Sequence, residues 1–239
     1  MKNMICFSME RKSNMGRGKA LPAFLYMAVI LFLISHFSLF TLSSCSEEDA
    51  TEDEYANWQV RNEQYLSDIA KRCQAGTAPD NVSGGKGWKR LKVYSKDAST
   101  EGAIDDYIYA YVIGEGTGTE CPAYTDSVRV SYQGRLIPTT TYPEGKVFDG
   151  TVYDNYSDKT NATTKFLVAG LTDGFSTALQ HMHQGDHWRV YIPSALAYGE
   201  TGSGTAIPGY SLLIFEITLI NFSHAGQAMP VWSARALDW

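Results

Sequence analysis

At 239 residues, 44% apolar and 13% aromatic, the chain has room for one globular domain and a short appendage, and it is too rich in core-forming residues to remain unfolded. A net charge of -6 and a pI near 5.4 exclude the basic surface that displaces counterions from a phosphate backbone, so no nucleic-acid partner is expected.

The first 44 residues read as a leader. Lys2, Arg11, Lys12, Arg17 and Lys19 stand against the single acid Glu10, and an uncharged, largely apolar run from Leu21 to Leu42 follows; a start at Met15 would leave a shorter basic region. Leu42-Ser43-Ser44-Cys45 resembles the bacterial lipobox, in which the cysteine takes a diacylglycerol thioether and becomes the mature N-terminus. Residues 1–44 are therefore expected to be a lipoprotein signal peptide and Cys45 the lipidation site. The alternative is an uncleaved anchor, since the run is long enough for a bilayer core of ~30 Å. Both place Ser46 onward outside the cytoplasm, in the periplasm or on the cell surface, tied to a bacterial membrane. Residues 45–54 hold six acids between Ser46 and Glu54, which repel one another and bury nothing, so they read as an acidic tether. A similar patch behind a lipidated cysteine directs some lipoproteins to the surface, but a plain tether is the commoner explanation.

Residues 55–87 are expected to be a helical N-terminal segment and linker. Tyr55, Trp58, Tyr65, Ile69 and Cys73 recur at three-to-four spacing over 54–73, while Arg61, Glu63, Asp68 and Lys71 face elsewhere. Such a helix either docks on the main domain, the reading preferred, or serves as a dimerising or client-gripping arm. Gly76, Pro79, Asn81 and Gly84-Gly85-Lys86-Gly87 mark a flexible connector. With Cys6 in the leader and Cys45 modified, Cys73 and Cys121 are left as a pair that an oxidising compartment could bridge. Nothing in the sequence fixes their Cα atoms at the ~5–6 Å a disulfide wants.

From Trp88 the pattern turns from helical to alternating. Leu91 and Val93, then Tyr107 to Ile113, read as strands. Gly114-Glu115-Gly116-Thr117-Gly118 is followed by Thr119-Glu120-Cys121-Pro122 instead of a helix, so it is a turn and not a phosphate cradle. Val128, Val130, Tyr132; Trp188, Val190, Ile192; and Leu213, Phe215, Ile217, Leu219 alternate with mostly polar partners in the first two runs, the third being apolar on much of both faces. Phe175, Leu179 and Met182 after Asp173-Gly174 fit one short helix, with Gly185 as its stop. The fold class is α+β: an antiparallel sheet on one short helix, preceded by a short N-terminal helix.

The segments Val130-Ser131-Tyr132-Gln133-Gly134, Val147-Phe148-Asp149, Phe166 to Phe175, Met182-His183-Gln184-Gly185, Ile192-Pro193, Ala197-Tyr198-Gly199, Ile207-Pro208 and Leu213-Ile214-Phe215, in this order and spacing, resemble the FKBP family. The resemblance implies a curved sheet of about five strands wrapped on the helix, an isomerase domain over 88–222, and a tail over 223–239. It implies peptidyl-prolyl cis-trans isomerase activity with no cofactor and no metal. Proline-containing polypeptides would be the clients, and macrolide-type molecules would be ligands of the same pocket. It assigns catalytic roles to Tyr132, Asp149 and Tyr198, and substrate binding to Phe148, Leu171, Thr172, Phe175, Ile207 and Phe215. Thr172 would act through its main-chain N–H, Tyr198 through its hydroxyl, and Asp149 by polarising the twisting amide or by holding Tyr132. Two departures stand out. Thr164 falls where some members carry a pocket aromatic, and residues 137–146 are longer than usual; both point to reduced or redirected turnover, or to a non-catalytic binding module or holdase.

Simpler readings exist for each residue. Tyr132 and Phe215 suit a plain core, and Asp149 before Gly150 suits an Asx turn. Tyr198 lies in a glycine-rich loop where packing needs no phenol. His181 and His183 are two apart on a helix and share no face, and Gly185 turns the chain before His187, so the three are not read as a zinc set. No Gly-x-Ser-x-Gly elbow for a hydrolase occurs.

Overall fold

The structure, a computed structural model, describes residues 53–152 and 162–230. The leader, Cys45, most of the acidic tether and the tail beyond residue 230 lie outside the described residues. Among the described residues seven strands form one antiparallel sheet: β1 (Gly87–Lys92), β2 (Tyr107–Gly114), β3 (Ser127–Arg135), β4 (Val147–Gly150), β5 (Thr164–Leu167), β6 (His187–Ile192) and β7 (Leu213–Ser223). Their order is β1-β2-β6-β7-β3-β4. β5 and β4 share one edge of β3, β5 against its first half and β4 against its end. The sheet thus has two more strands than expected, the short β4 and β5, which lack an alternating run long enough to read from sequence.

Period-two alternation sets the core. Val128, Val130 and Tyr132 on β3, Trp188 and Val190 on β6, and Phe215, Ile217 and Leu219 on β7 are all buried, and register places Ile217 between Tyr132 and Trp188. Against this face lies α2 (Asp173–Leu179), with every residue from Gly174 to Leu179 buried. Its Gly174 permits close approach, because a Cβ there would overlap the Ile192 side chain. The helix ends at Leu179, and hydrogen-bonded turns carry the chain on to Met182 and to Gly185 at φ 92°.

The N-terminal helix, α1, spans Trp58–Ala75 and stops at Gly76, whose φ is 68° and whose N–H bonds back to Arg72 and Cys73 carbonyls. It starts four residues later than the periodicity suggested and buries Trp58, Asn62, Leu66 and Ile69. The helix docks on the domain. Trp58 Nε1 donates to Ser211 Oγ at 2.8 Å, and Asn62 Oδ1 accepts the Leu212 N–H at 2.8 Å, both in buried surroundings.

The connector after α1 is tied down as well. Arg72 grips Asp80 with two bonds of 2.8 and 2.9 Å, Trp88 Nε1 donates to Thr77 O, and Tyr111 lays its hydroxyl on Gly84 O. Gly85 lacks a side chain where the Tyr111 ring sits, so the glycine cluster serves a close approach. Cys73 and Cys121 are both free thiols, and burial pushes each above its ordinary pKa. Among the described residues no helix is long and apolar enough to cross a membrane.

Candidate active site

The inner end of β3 is built around Tyr132 and the glycine two residues on. At Gly134 a Cβ would stand 2.6 Å from both the Phe148 and Phe215 rings, so only glycine lets those rings meet there. Register pairs Gly134 with Asp149 and Arg135 with Val147, which leaves Phe148 as the extra residue of a bulge. A bulge re-aims one side chain out of the strand's alternation, and the Phe148 ring lies edge-on to Phe215 at 5.5 Å.

Phe215 comes from the start of β7, Phe175 from the first turn of α2, and Phe166 from β5. Their centroids stand 6.3, 6.1 and 5.6 Å from that of Tyr132, and Phe175 meets Phe215 edge-on at 4.9 Å. Edge-to-face packing lets the positive rim of one ring meet the negative face of the next. The result is a cluster of five aromatic rings, the cup, drawn from five elements, with Tyr132, Phe175 and Phe215 buried and Phe148 and Phe166 half-buried.

Tyr132 donates its hydroxyl proton to Asp149 Oδ2 at 2.6 Å, and the other oxygen of that exposed carboxylate accepts the Gly150 N–H at 2.8 Å. The Asp149 carboxylate therefore grips Tyr132, and its other bond goes to the very next N–H and not to the one two residues on, which an Asx turn would need. Thr172 stands immediately before α2 with its carbonyl accepting the Ser176 N–H; its own N–H has no acceptor among the described residues. Leu171 is half-buried and packs on the core, as does buried Ile207.

Tyr198 and Ile207 lie on one tight loop. Ser203 and Ile207 exchange two main-chain bonds of 2.9 and 3.2 Å, and the Tyr210 N–H closes the base on Gly199 O at 2.9 Å. Gly202 has no room for a Cβ against the Ile207 carbonyl. Tyr198 is 40% exposed, and among the described residues its hydroxyl has no hydrogen-bond partner and its ring no aromatic contact. Direct contacts thus join Tyr132, Phe148, Asp149, Phe175 and Phe215, whereas Tyr198 makes no hydrogen bond or ring contact with them among the described residues.

Phe166 was missed in the sequence reading. It shares a strand face with Thr164, two residues earlier, and that spacing was the available signal: the ring absent at 164 is supplied at 166. The three histidines have separate partners. His181 bonds Thr177 O and stacks on Tyr94, His183 faces Asp186 at 3.7 Å, and His187 Nε2 meets Glu216 at 2.9 Å. A cavity of about 620 Å³ opens between α1 and the sheet, and it shares only Tyr132 with the cup.

Residues 118–220 match the family described as FKBP-type peptidyl-prolyl cis-trans isomerase. This segment belongs to that family. The FKBP match begins in the turn after β2 and ends within β7, so it holds every ring of the cup and leaves α1, β1 and β2 before it. Among curated proteins the chain is 40% identical over 115 residues to the macrophage infectivity potentiator of Trypanosoma cruzi, covering 48% of this chain and 53% of that one. It is 38% identical over 132 residues to the FKBP-type 22 kDa peptidyl-prolyl cis-trans isomerase of Escherichia coli (strain K12), covering 54% and 58%. It is 37% identical over 114 residues to the outer membrane protein MIP of Legionella longbeachae, covering 48% and 43%. The chain thus spans about half the length of the curated relatives it matches.

Proposed function

We propose that this chain is a peptidyl-prolyl cis-trans isomerase that acts on proline-containing polypeptides outside the cytoplasm. The observation that carries the reading is the five-ring cup fastened by the Tyr132–Asp149 bond within a segment of FKBP sequence. An X-Pro bond rotates over a barrier of ~18–20 kcal/mol because the amide loses resonance when twisted. No covalent bond is made or broken, so a site need only hold the twisted amide better than the planar one. Aromatic walls strip away the water that favours the planar, more dipolar form. Phe148, Phe166, Phe175 and Phe215 supply these walls, and Ile207 and Leu171 border the proline ring. The Tyr198 hydroxyl and the Thr172 N–H, neither with a partner among the described residues, then fix carbonyls on either side of the rotating bond. Tyr132 is a wall whose rotamer Asp149 holds.

The remaining assignments belong to the same proposal. Residues 88–222 act as the isomerase domain, and the chain is lipid-anchored through Cys45 behind a signal peptide over 1–44, with 45–54 as tether. The name of the Legionella relative, an outer membrane protein, favours an envelope setting. Macrolide-type ligands would compete for the cup. The test is a protease-coupled isomerisation assay on protein from Ser46 onward, beside Tyr198→Ala and Asp149→Ala. Acceleration by the unaltered protein, with kcat/KM lowered about tenfold or more in each variant, is the expected result. No acceleration, with a macrolide still bound, leaves a non-catalytic binding module.

A further inference from the structure

Beside the loop that carries Tyr198, a groove of about 500 Å³ runs between α1 and residues 193–200. Its floor is apolar, made by buried Leu66, Pro193 and Leu212, and Ile104 stands beside it 43% exposed. Its rim carries exposed Glu63, Asp105 and Glu200, and no Lys, Arg or His lines it. Among the described residues none of these three acids is in a salt bridge. Glu63 accepts only the Gln59 amide at 2.9 Å, and Glu200 faces Tyr210, whose phenol is raised first by desolvation and then by that carboxylate, with Glu63 adding to it.

The groove is held open by its own bonds. Trp58 to Ser211 and Asn62 to Leu212 tie α1 to the chain leaving the Tyr198 loop. Tyr210 sits at φ 61°, a left-handed backbone that a bulky residue keeps only where its surroundings enforce it. A site whose walls are already fixed spends little ordering entropy when filled. Gly199 and Glu200, the two residues after Tyr198, line the groove, so a polypeptide held at Tyr198 has the groove beside it.

We infer that this groove is a second subsite for the polypeptide client and takes an apolar side chain flanked by lysine or arginine. The inference rests on the isomerase reading above. An acidic rim whose carboxylates make no salt bridge among the described residues and whose lining holds no cation attracts a cationic segment and penalises an acidic one, while the apolar floor rewards the side chain between the charges.

The experiment uses the full chain in detergent and two long peptides with one proline-containing centre, one flanked by Lys-Leu-Lys and the other by Glu-Leu-Glu. A short uncharged proline peptide is the control. The basic peptide is expected to have a kcat/KM about tenfold above the acidic one at low salt, a gap that narrows as salt is added. In Glu63→Lys with Asp105→Lys the gap closes, while turnover of the short peptide matches the unaltered protein. Anisotropy of a labelled, proline-free Lys-Leu-Lys peptide reads the groove without turnover, and its binding should weaken about tenfold in the same double variant. Equal values for the two long peptides, or a preference that survives the double variant, overturn the subsite. No turnover of the short peptide overturns the isomerase reading instead, and the anisotropy still decides whether the groove binds.

Discussion

The Tyr132 phenol reaches Asp149 at 2.6 Å while its ring meets Phe166, Phe175 and Phe215, so one residue links the polar and aromatic parts of the site. Asp149 is exposed, and removing the bond should cost only ~0.5–1.5 kcal/mol of stability. If Asp149 acts by holding Tyr132, then Tyr132→Phe and Asp149→Ala each lower kcat/KM and the double variant is little worse than either one. If instead the carboxylate works on the amide directly, the losses add. A double-mutant cycle in the isomerisation assay decides between them. Gly134→Ala tests the packing that makes the cup. Its Cβ would fall 2.6 Å from two rings, an overpacking expected to cost ~1–3 kcal/mol and to displace Phe148, seen as a lower urea midpoint and weaker macrolide binding. Most of these residues were legible through the family resemblance, but their alternation alone would equally have suited core. Phe166 left only the faint signal of its spacing from Thr164, because the register that sets β5 against β3 is a long-range pairing that a local pattern does not contain.

At the scale of elements, α1 and the long loop at 137–146 explain one another. Arg61 Nη2 reaches Pro138 O at 3.5 Å, and hydrogen bonds from Thr139 and Thr141 hold the Glu54 carboxyl below its usual range. The extra residues therefore give the helix entry something to bind. The apolar stripe of α1 was readable from Trp58, Tyr65 and Ile69. What it docks on was not, since Ser211 and Leu212 lie about 150 residues away. Asn62, 3% exposed among apolar neighbours, was the overlooked signal, because a buried amide on a helix stripe must have a partner. Asn62→Ala strands the Leu212 N–H, at an expected cost of ~1–3 kcal/mol. It should also loosen the loop that presents Tyr198 and Ile207. Hydrogen exchange would report faster exchange over 199–212, with kcat/KM reduced. Unchanged exchange there would mean that the helix is only a cover.

For the whole molecule, one antiparallel sheet from Gly87 to Ser223 carries the cup on one face and a knot of charge on the other. The cup face follows from alternating apolar residues and was legible; the charged face depends on cross-strand pairing between β6 and β7. There Glu216 accepts His187 Nε2 and Arg189 Nη2, both at 2.9 Å. Burial alone would raise its pKa, yet the bonds and charges of His187 and Arg189 outweigh it and pull the value down to about 2. In the unfolded chain a glutamate titrates near ~4.3. Above that pH both states are ionised and the stabilisation is complete. Between about pH 4.3 and 2 the unfolded chain takes up the proton first, so stability falls as acid is added, and below about 2 the contribution is gone. The span corresponds to roughly 3 kcal/mol. Urea unfolding of the unaltered protein and of Glu216→Gln should therefore differ most at pH 6 and converge toward pH 2.5. A gap that stays constant across that range would mean that the knot owes its effect to packing, with the carboxylate's ionisation contributing nothing.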